Sequence, residues 1–337
     1  MATAKAHTNI ALVKYWGKKD QDLIIPQTDS LSMTLDEFYT TTRVVFDPAL
    51  TAEQITVNDQ PVTGKGAERI TKFLDIVRQM SGRQDFARVD SHNHVPTAAG
   101  LASSASAFAA LAGAASRASG LQLSRRDLSR LARRGSGSAT RSIYGGLVEW
   151  HRGHDDATSY AEPIMEKLDF GLEMLAIMIN TGRKKISSRH GMQSSVITSP
   201  YYASWKEVVA NDMETMKAAI QAKDIPAIGH IAEENALRMH ALTLSADPGY
   251  TYFNNETLTA IQAVRQLRDQ GINCYFTMDA GPNVKVIYDR RDRERIVDGL
   301  AQTFAPERLV VSPAGPGIEI WDENNRLIIG GQLNFDY

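Results

Sequence analysis

The sequence predicts an α+β protein of two domains, and three observations carry that reading. Its 337 residues are 43% hydrophobic, enough to bury a full core. At roughly 100–200 residues per domain, that length suits about two of them. Helical and strand-like patterns occur in both halves without the strict strand–helix alternation of a βα barrel, and no internal repeat or low-complexity tract interrupts them.

The first half opens with β structure: 41–46 (TTRVVF) and 54–58 (QITVN) alternate as strands do, and Asp59, Gln60 and Pro61 supply turn chemistry. Helical periods follow over 67–80, over the small-residue stretch 101–118, and over 124–134, where Ser124 and Asp127 form a capping box. The apolar run 175–180 reads as a buried strand and the polar stretch 181–195 as a hinge. The division between domains is therefore expected at 182/183, giving an N-terminal domain 1–182, a C-terminal domain 183–325 and an unassigned tail 326–337. Helices are expected over 204–222, opened by Ser204 and Glu207 as a second capping box, and over 225–244 and 255–270. Strands over 273–278 and 284–288 flank 279–283 (DAGPN), and a helix over 291–304 precedes short closing strands.

Composition excludes some partners. Lys and Arg number 37 against 39 Asp and Glu, so a net charge of −2 gives no overall field to recruit nucleic acid or anionic membrane. No apolar run approaches the ~20 residues of a membrane span, and the N-terminus lacks a signal-peptide pattern. The single Cys274 excludes an internal disulfide framework and suits a reducing compartment, so a soluble cytoplasmic protein is expected. A homodimer is the one assembly the reading offers.

Four segments carry candidate chemistry. In 96–106 (PTAAGLASSAS), Gly100 permits a tight turn into a helix whose first amides lack internal partners, and Ser103, Ser104 and Ser106 add hydroxyls for phosphate or a phosphate-bound magnesium ion. The same residues also suit a buried helix capped by its own serines. There is no Gly-Lys-Ser/Thr after the turn, so this is not a Walker loop and any phosphate lysine comes from elsewhere. In 9–20 (NIALVKYWGKKD), Lys14 ends an apolar run and Lys18 suits a phosphate clamp, the alternative being a solvated charge cluster. The turn 133–142 (RRGSGSATRS) suits a carboxylate or a diphosphate, or is a surface loop. In 277–285 (TMDAGPNVK), Asp279 stands at a strand end where Gly281 and Pro282 turn the backbone away; it could orient or deprotonate a hydroxyl, or be an ordinary turn residue. A further basic turn, 183–192 (RKKISSRHGM), is uninformative alone.

Taken together these segments resemble the galactokinase–homoserine kinase–mevalonate kinase superfamily. Within it they resemble the diphosphomevalonate decarboxylase family over about residues 5–321. The loop from Pro96 to Ser104 marks only the superfamily; the strings 9–18, 135–142, 187–189 and 278–285 mark the family. The resemblance implies an N-terminal domain like the second domain of a ribosomal small-subunit protein, a ferredoxin-like C-terminal domain, and an active site in the cleft between them. It implies conversion of mevalonate 5-diphosphate and ATP to isopentenyl diphosphate, ADP, phosphate and carbon dioxide. The implied catalytic residues are Asp279, Lys14 and Arg141, with Tyr15, Lys18, Ser136, Ser138, Arg141, Ser188 and Arg189 binding substrate. Ser91, Asn93, Pro96, Gly100, Leu101, Ala102, Ser103, Ser104 and Ser106 would bind ATP, with Ser103 and Ser104 meeting magnesium. Two departures from the family pattern, Asp29 and Thr140, concern local contacts, and the negative Asp29 is expected to face away from a diphosphate. The nearest rivals are a kinase that stops after phosphoryl transfer, a decarboxylase of the monophosphate, and a non-catalytic sensor.

Overall fold

The computed structural model describes residues 1–94, 104–179 and 186–329. In chain order the first part comprises β1 (Ala2–Val13), β2 (Lys18–Asp20), β3 (Ile25–Pro26), β4 (Ser30–Asp47), β5 (Gln54–Val57), β6 (Gln60–Pro61), α1 (Lys65–Ser81) and β7 (Phe86–His94). Then come α2 (Ser104–Ala118), α3 (Arg125–Gly135), a 3-10 turn over Gly137–Ile143, β8 (Leu147–Trp150) and β9 (Ala161–Met165). The second part runs β10 (Leu172–Ile177), α4 (Ser188–Thr198), α5 (Tyr202–Gln221), α6 (Ile225–Leu244), α7 (Asn255–Asp269), β11 (Cys274–Met278), β12 (Val284–Asp289), α8 (Arg293–Ala301) and β13 (Leu309–Ser312), followed by β14 (Glu319–Trp321) and β15 (Leu327–Ile329).

Among the described residues, nine strands form one sheet along the order β15-β14-β1-β4-β7-β5-β6, with β8 and β9 branching from β4. The alternating alanines of β1 explain how this sheet takes a helix so closely. Ala2, Ala4 and Ala6 are fully buried, because alternate strand residues share one face. Small side chains there let α2 approach until a Cβ on Gly113 would sit 3.1 Å from the Ala4 Cβ. A second sheet has the order β11-β12-β10-β13, each pair antiparallel. Its strand–helix–strand–strand–helix–strand succession is the ferredoxin-like arrangement that the resemblance implied.

The two sheets do not divide the chain at 182/183. β10 lies ahead of that point yet belongs to the second sheet, whereas β14 and β15 lie beyond it and return to the first. An unbroken apolar run shows that β10 is buried on both faces but not which sheet buries it. The division at 182/183 itself falls within residues 180–185, outside the described residues.

Local signals fared unevenly. Ser124 caps α3 by accepting from the Asp127 amide, as expected. Ser204 does not open a helix: α5 begins two residues earlier behind Tyr201, which makes no side-chain cap, so the second capping box is absent. The polar stretch read as a hinge contains α4, capped by Ser187, which accepts from the His190 amide at 3.2 Å. That helix buries only Gly191 and Ser195, so no apolar period announced it.

Between the sheets, α6 packs on β1 on one side and on β11 on the other. Core residues from both parts merge there, among them Val13, Trp16, Met174, Trp205 and Met239. Gly229 brings α6 close to β11, since an added Cβ would lie 2.2 Å from Tyr275 Cδ2 and 2.9 Å from its Cβ. Gly229→Ala therefore lowers stability. The clash, about 1–3 kcal/mol, exceeds the roughly 1 kcal/mol gain in helix propensity. Urea unfolding should show a lower midpoint at unchanged slope.

Candidate active site

At the end of β1, where the strand leaves the sheet, Lys14 turns inward and is 1% exposed. Its ammonium donates to Asp279 Oδ1 at 2.8 Å and to the Ala11 carbonyl at 2.7 Å. Asp279 follows β11, and Lys285 of β12 reaches its other oxygen at 3.4 Å. Burial alone would raise the Asp279 carboxyl, but the pull of Lys14 and Lys285 outweighs it and holds the group well below the usual carboxylate range. For Lys14 burial prevails over the attraction of Asp279, and its ammonium is brought down to about 8. The carboxylate keeps 37% of its side-chain surface open, and the opening faces the cleft.

The turn 133–142 is no surface loop. Its 3-10 segment is buried, and Arg141 is 2% exposed. Arg141 donates to Asn9 Oδ1 at 3.2 Å and to the Ser30 hydroxyl at 2.5 Å, while Asn9 donates to the Ser138 carbonyl at 2.9 Å and to the Ser142 hydroxyl at 2.8 Å. Burial is the main cause that brings Arg141 down to about 10, with Asp279 opposing it. Gly137 leaves room for Tyr15, since a Cβ there would lie 2.8 Å from the Tyr15 ring. Tyr15 packs on Trp150 at 4.7 Å between ring centres, and burial pushes its phenol up. Arg133, in contrast, spends its guanidinium on the Leu23 and Ser159 carbonyls and on Asp156, so it serves the scaffold.

Asn9, Lys14, Tyr15, Arg141 and Asp279 line one cleft of about 360 Å³ with Lys18, Arg69, Ser104, Ser136, Ser138, Ser188 and Arg189. Gly17, at φ +122°, makes the turn that carries the chain from buried Trp16 to Lys18; a Cβ there would lie 1.8 Å from the Tyr202 hydroxyl. Burial, then the charges of Arg189 and Arg69, brings Lys18 down to about 8. Burial and Arg189 bring Arg69 down to about 10. Among the described residues, five cationic side chains thus line the cleft against one carboxylate, Asp279.

The remaining sequence-predicted residues are distributed as follows. Ser104 bonds the Ser136 hydroxyl at 2.9 Å on the cleft wall. Ser106 is fully buried, 2.8 Å from the Thr40 hydroxyl, and does not line the cleft. Ser91 engages Thr42 at 2.9 Å, and Asn93 accepts from Thr40 at 2.9 Å, both along the β4–β7 pairing. Pro96, Gly100, Leu101, Ala102 and Ser103 lie outside the described residues. Asp29 accepts from the Arg152 amide at 2.6 Å and does not line the cleft. Sequence reading missed Arg69, which looks like any solvated arginine of an amphipathic helix, and did not assign Lys285 or Asn9 a role although both lie in quoted motifs. Among the described residues no three His, Cys, Asp or Glu side chains gather to hold a metal ion.

A two-domain fold with a cationic cleft, a buried lysine–aspartate pair and serine turns defines an enzyme of the galactokinase–homoserine kinase–mevalonate kinase type, acting on anionic substrates. Comparison with known proteins narrows this class. Residues 6–161 match the model of the diphosphomevalonate decarboxylase-like N-terminal domain, and residues 174–315 match that of the mevalonate 5-diphosphate decarboxylase C-terminal domain. The chain belongs to the diphosphomevalonate decarboxylase family. It is 50% identical to the mevalonate diphosphate decarboxylase from Enterococcus faecalis, solved in a study of mevalonate diphosphate mediated ATP binding, with a TM-score of 0.92 over 95% of this chain and 98% of that one. A solved structure of MDDEF in complex with MVAPP, AMPPCP and magnesium matches at 50% identity, with a TM-score of 0.93 and the same coverage. Among curated relatives, the diphosphomevalonate decarboxylase of Ganoderma lucidum is 33% identical over 93% of this chain and 84% of its own length. The phosphomevalonate decarboxylase of Haloferax volcanii is 31% identical over 97% and 99%.

The lysine shifts give a pH dependence with a definite sign. Lys14 and Lys18 are protonated below about 8 and neutral above it, so loss of either charge weakens binding or turnover of an anionic substrate. In the free protein kcat/KM should fall above about pH 8, up to about tenfold per unit for each group. Lys14→Arg and Lys18→Arg should each remove one component of that limb.

Proposed function

We propose that the cleft carries out ATP-dependent decarboxylation of mevalonate 5-diphosphate to isopentenyl diphosphate, releasing ADP, phosphate and carbon dioxide. The observation that carries this reading is the set, among the described residues, of five cations around one carboxylate held ionised by two lysines. Lys18, Arg69 and Arg189, with the hydroxyls of Tyr15, Ser136, Ser138 and Ser188, supply the charge and donors that a diphosphate requires. Arg141 presents its guanidinium from a fixed frame to the substrate carboxylate or a phosphate.

Asp279 accepts the hydrogen of the tertiary hydroxyl and aims its oxygen at the transferring phosphorus. So acidic a carboxyl is a weak base, so its main task is orientation. As the new P–O bond forms, the bond from the γ-phosphorus to the bridging oxygen of ADP breaks, and the hydroxyl proton passes late in the step to Asp279 and on to solvent or the transferred phosphate. Lys14 keeps Asp279 ionised and places positive charge beside the phosphoryl oxygens. In the next step the C–O bond to phosphate breaks, the electrons of the C–C bond to the carboxylate form the alkene, and carbon dioxide departs. Arg141 and the lysines are placed to stabilise the leaving phosphate.

Magnesium supplies charge neutralisation on the ATP phosphates. The exposed Ser104 hydroxyl on the cleft wall fits a role beside it, together with Ser103, and Pro96, Gly100, Leu101, Ala102, Ser91 and Asn93 would bind ATP, whereas the fully buried Ser106 supports α2 from within and makes no direct contact with the nucleotide. No described helix is long and apolar enough to cross a membrane. The reading places the activity in the cytoplasm, where the lone buried Cys274 thiol stays reduced.

Incubation with ATP and mevalonate 5-diphosphate should release carbon dioxide, phosphate, ADP and isopentenyl diphosphate in equal amounts. The monophosphate should react with a kcat/KM lower by about 10–100-fold, the loss of one or two charged hydrogen bonds. Equal or better use of the monophosphate would align the chain with its Haloferax relative, and a phosphorylated product without alkene would make it a kinase. Asp279→Asn should lower kcat by about 10²–10⁴-fold with little change in diphosphate affinity.

A further inference from the structure

Outside the cleft, one buried polar chain ends on the backbone of a residue the chemistry uses. Val13 is the last residue of β1 paired with β4, so the Lys14 amide has no strand partner. It donates instead to Asn235 Oδ1 at 2.8 Å, a side chain from α6 that is 0% exposed. Asn235 Nδ2 donates to Asp212 Oδ2 of α5 at 2.8 Å, and Arg238 donates to both Asp212 oxygens at 3.1 and 3.2 Å. A carboxylate only accepts, so Asp212 obliges Asn235 to turn its amide nitrogen toward it and its oxygen toward Lys14. Neither Asn235, Asp212 nor Arg238 lines the cleft, and none has a part in the reaction described above. Burying Asn235 and Asp212 costs desolvation that leaves a net gain only when each polar group is satisfied, as both are here, with the exposed Arg238 meeting Asp212 from the surface.

We infer that Asn235, oriented by Asp212 and Arg238, is a positioning residue that fixes where the end of β1 delivers the Lys14 ammonium against Asp279. The inference rests on the roles given above to Lys14 and Asp279. Lys14 bears both the amide that Asn235 holds and the ammonium that bridges Ala11 and Asp279. A displacement of one is therefore passed directly to the other. The charged and titratable groups around Lys14 are Asp279 and Lys285 at the ends of β11 and β12, Arg141 of the 3-10 turn and His240 of α6. Substitutions at 235 and 212 leave all four in place.

The test compares Asn235→Ala, Asp212→Asn and the double exchange Asn235→Asp/Asp212→Asn with the wild type. In the exchange, the new carboxylate at position 235 accepts from both the Lys14 amide and the new amide at position 212, so both hydrogen bonds re-form with the two side chains interchanged. Asn235→Ala should lower kcat by about 10²-fold, the loss expected from a misplacement near 1 Å, with both KM values little changed. The Lys14 amide should lose its protection from hydrogen exchange, and the exchange variant should recover most of both kcat and protection. Wild-type kcat in Asn235→Ala despite an unprotected Lys14 amide would overturn the inference. So would an exchange variant with restored protection but the turnover of Asn235→Ala. If Asn235→Ala does not fold, Asp212→Asn, which frees the Asn235 amide to turn, carries the same comparison. Lys14→Arg separates this inference from the reading beneath it. That variant should lose kcat with its amide still protected; if it turns over like the wild type, the role of Lys14 itself falls, and the inference with it.

Discussion

Lys14 and Asp279 are separated by 265 positions and stand just past the ends of strands from different sheets, yet their side chains meet at 2.8 Å. Burying either charge alone costs several kcal/mol even after relaxation. The pair is tolerable because each partner is met more than once: Lys14 by Asp279 and the Ala11 carbonyl, Asp279 by Lys14 and Lys285. That requirement reaches outward through the fold. β1 must end where α6 can receive its amide, β11 must end where Gly281 and Pro282 turn the chain away, and the two sheets must be held so that these ends coincide. The merged core around Val13, Trp16, Met174 and Met239 holds them so.

The same burial that makes the pair costly makes the cleft selective. Arg189 and Arg69 add to burial in lowering the protonation of Lys18, and Arg189 does the same to Arg69, so the cleft stores repulsion that an anionic ligand relieves on binding. Arg141 differs from these because its frame of Asn9 and Ser30 fixes its direction before any ligand arrives, reducing the ordering left to do when substrate binds. One basic turn thus supplies a fixed fork from Arg141, while its neighbour Arg133 closes the scaffold.

Much of this was legible from local chemistry. The strands on either side of 279–283 and the Ser124 cap follow from patterns within a few residues. Lys14 closing an apolar run and Asp279 before Gly281 and Pro282 were candidates from local pattern alone, each with an ordinary alternative, and the roles of Lys14, Asp279 and Arg141 came from the family resemblance. What escaped depends on packing between distant segments. Arg69 sits in a helix rich in charge and becomes a cleft residue because the Gly135 carbonyl and the Phe108 ring receive its guanidinium. α4 has almost no apolar face. The division of the sheets was misplaced because β10 reads the same whichever sheet buries it, and Asn235 looks like any polar residue on a long helix until the end of β1 is placed beside it.

The central claim is that Lys14 holds Asp279 ionised within the cleft. Its most direct test is the carbon chemical shift of the Asp279 carboxyl, followed by NMR against pH in the wild type and in Lys14→Met. The wild-type carboxyl should stay ionised from about pH 9 down to about pH 4, below which ordinary aspartates protonate. In Lys14→Met the midpoint should move upward, as burial is then opposed by Lys285 and the more distant Arg141. A wild-type midpoint inside that range, or one unmoved by Lys14→Met, would contradict the account.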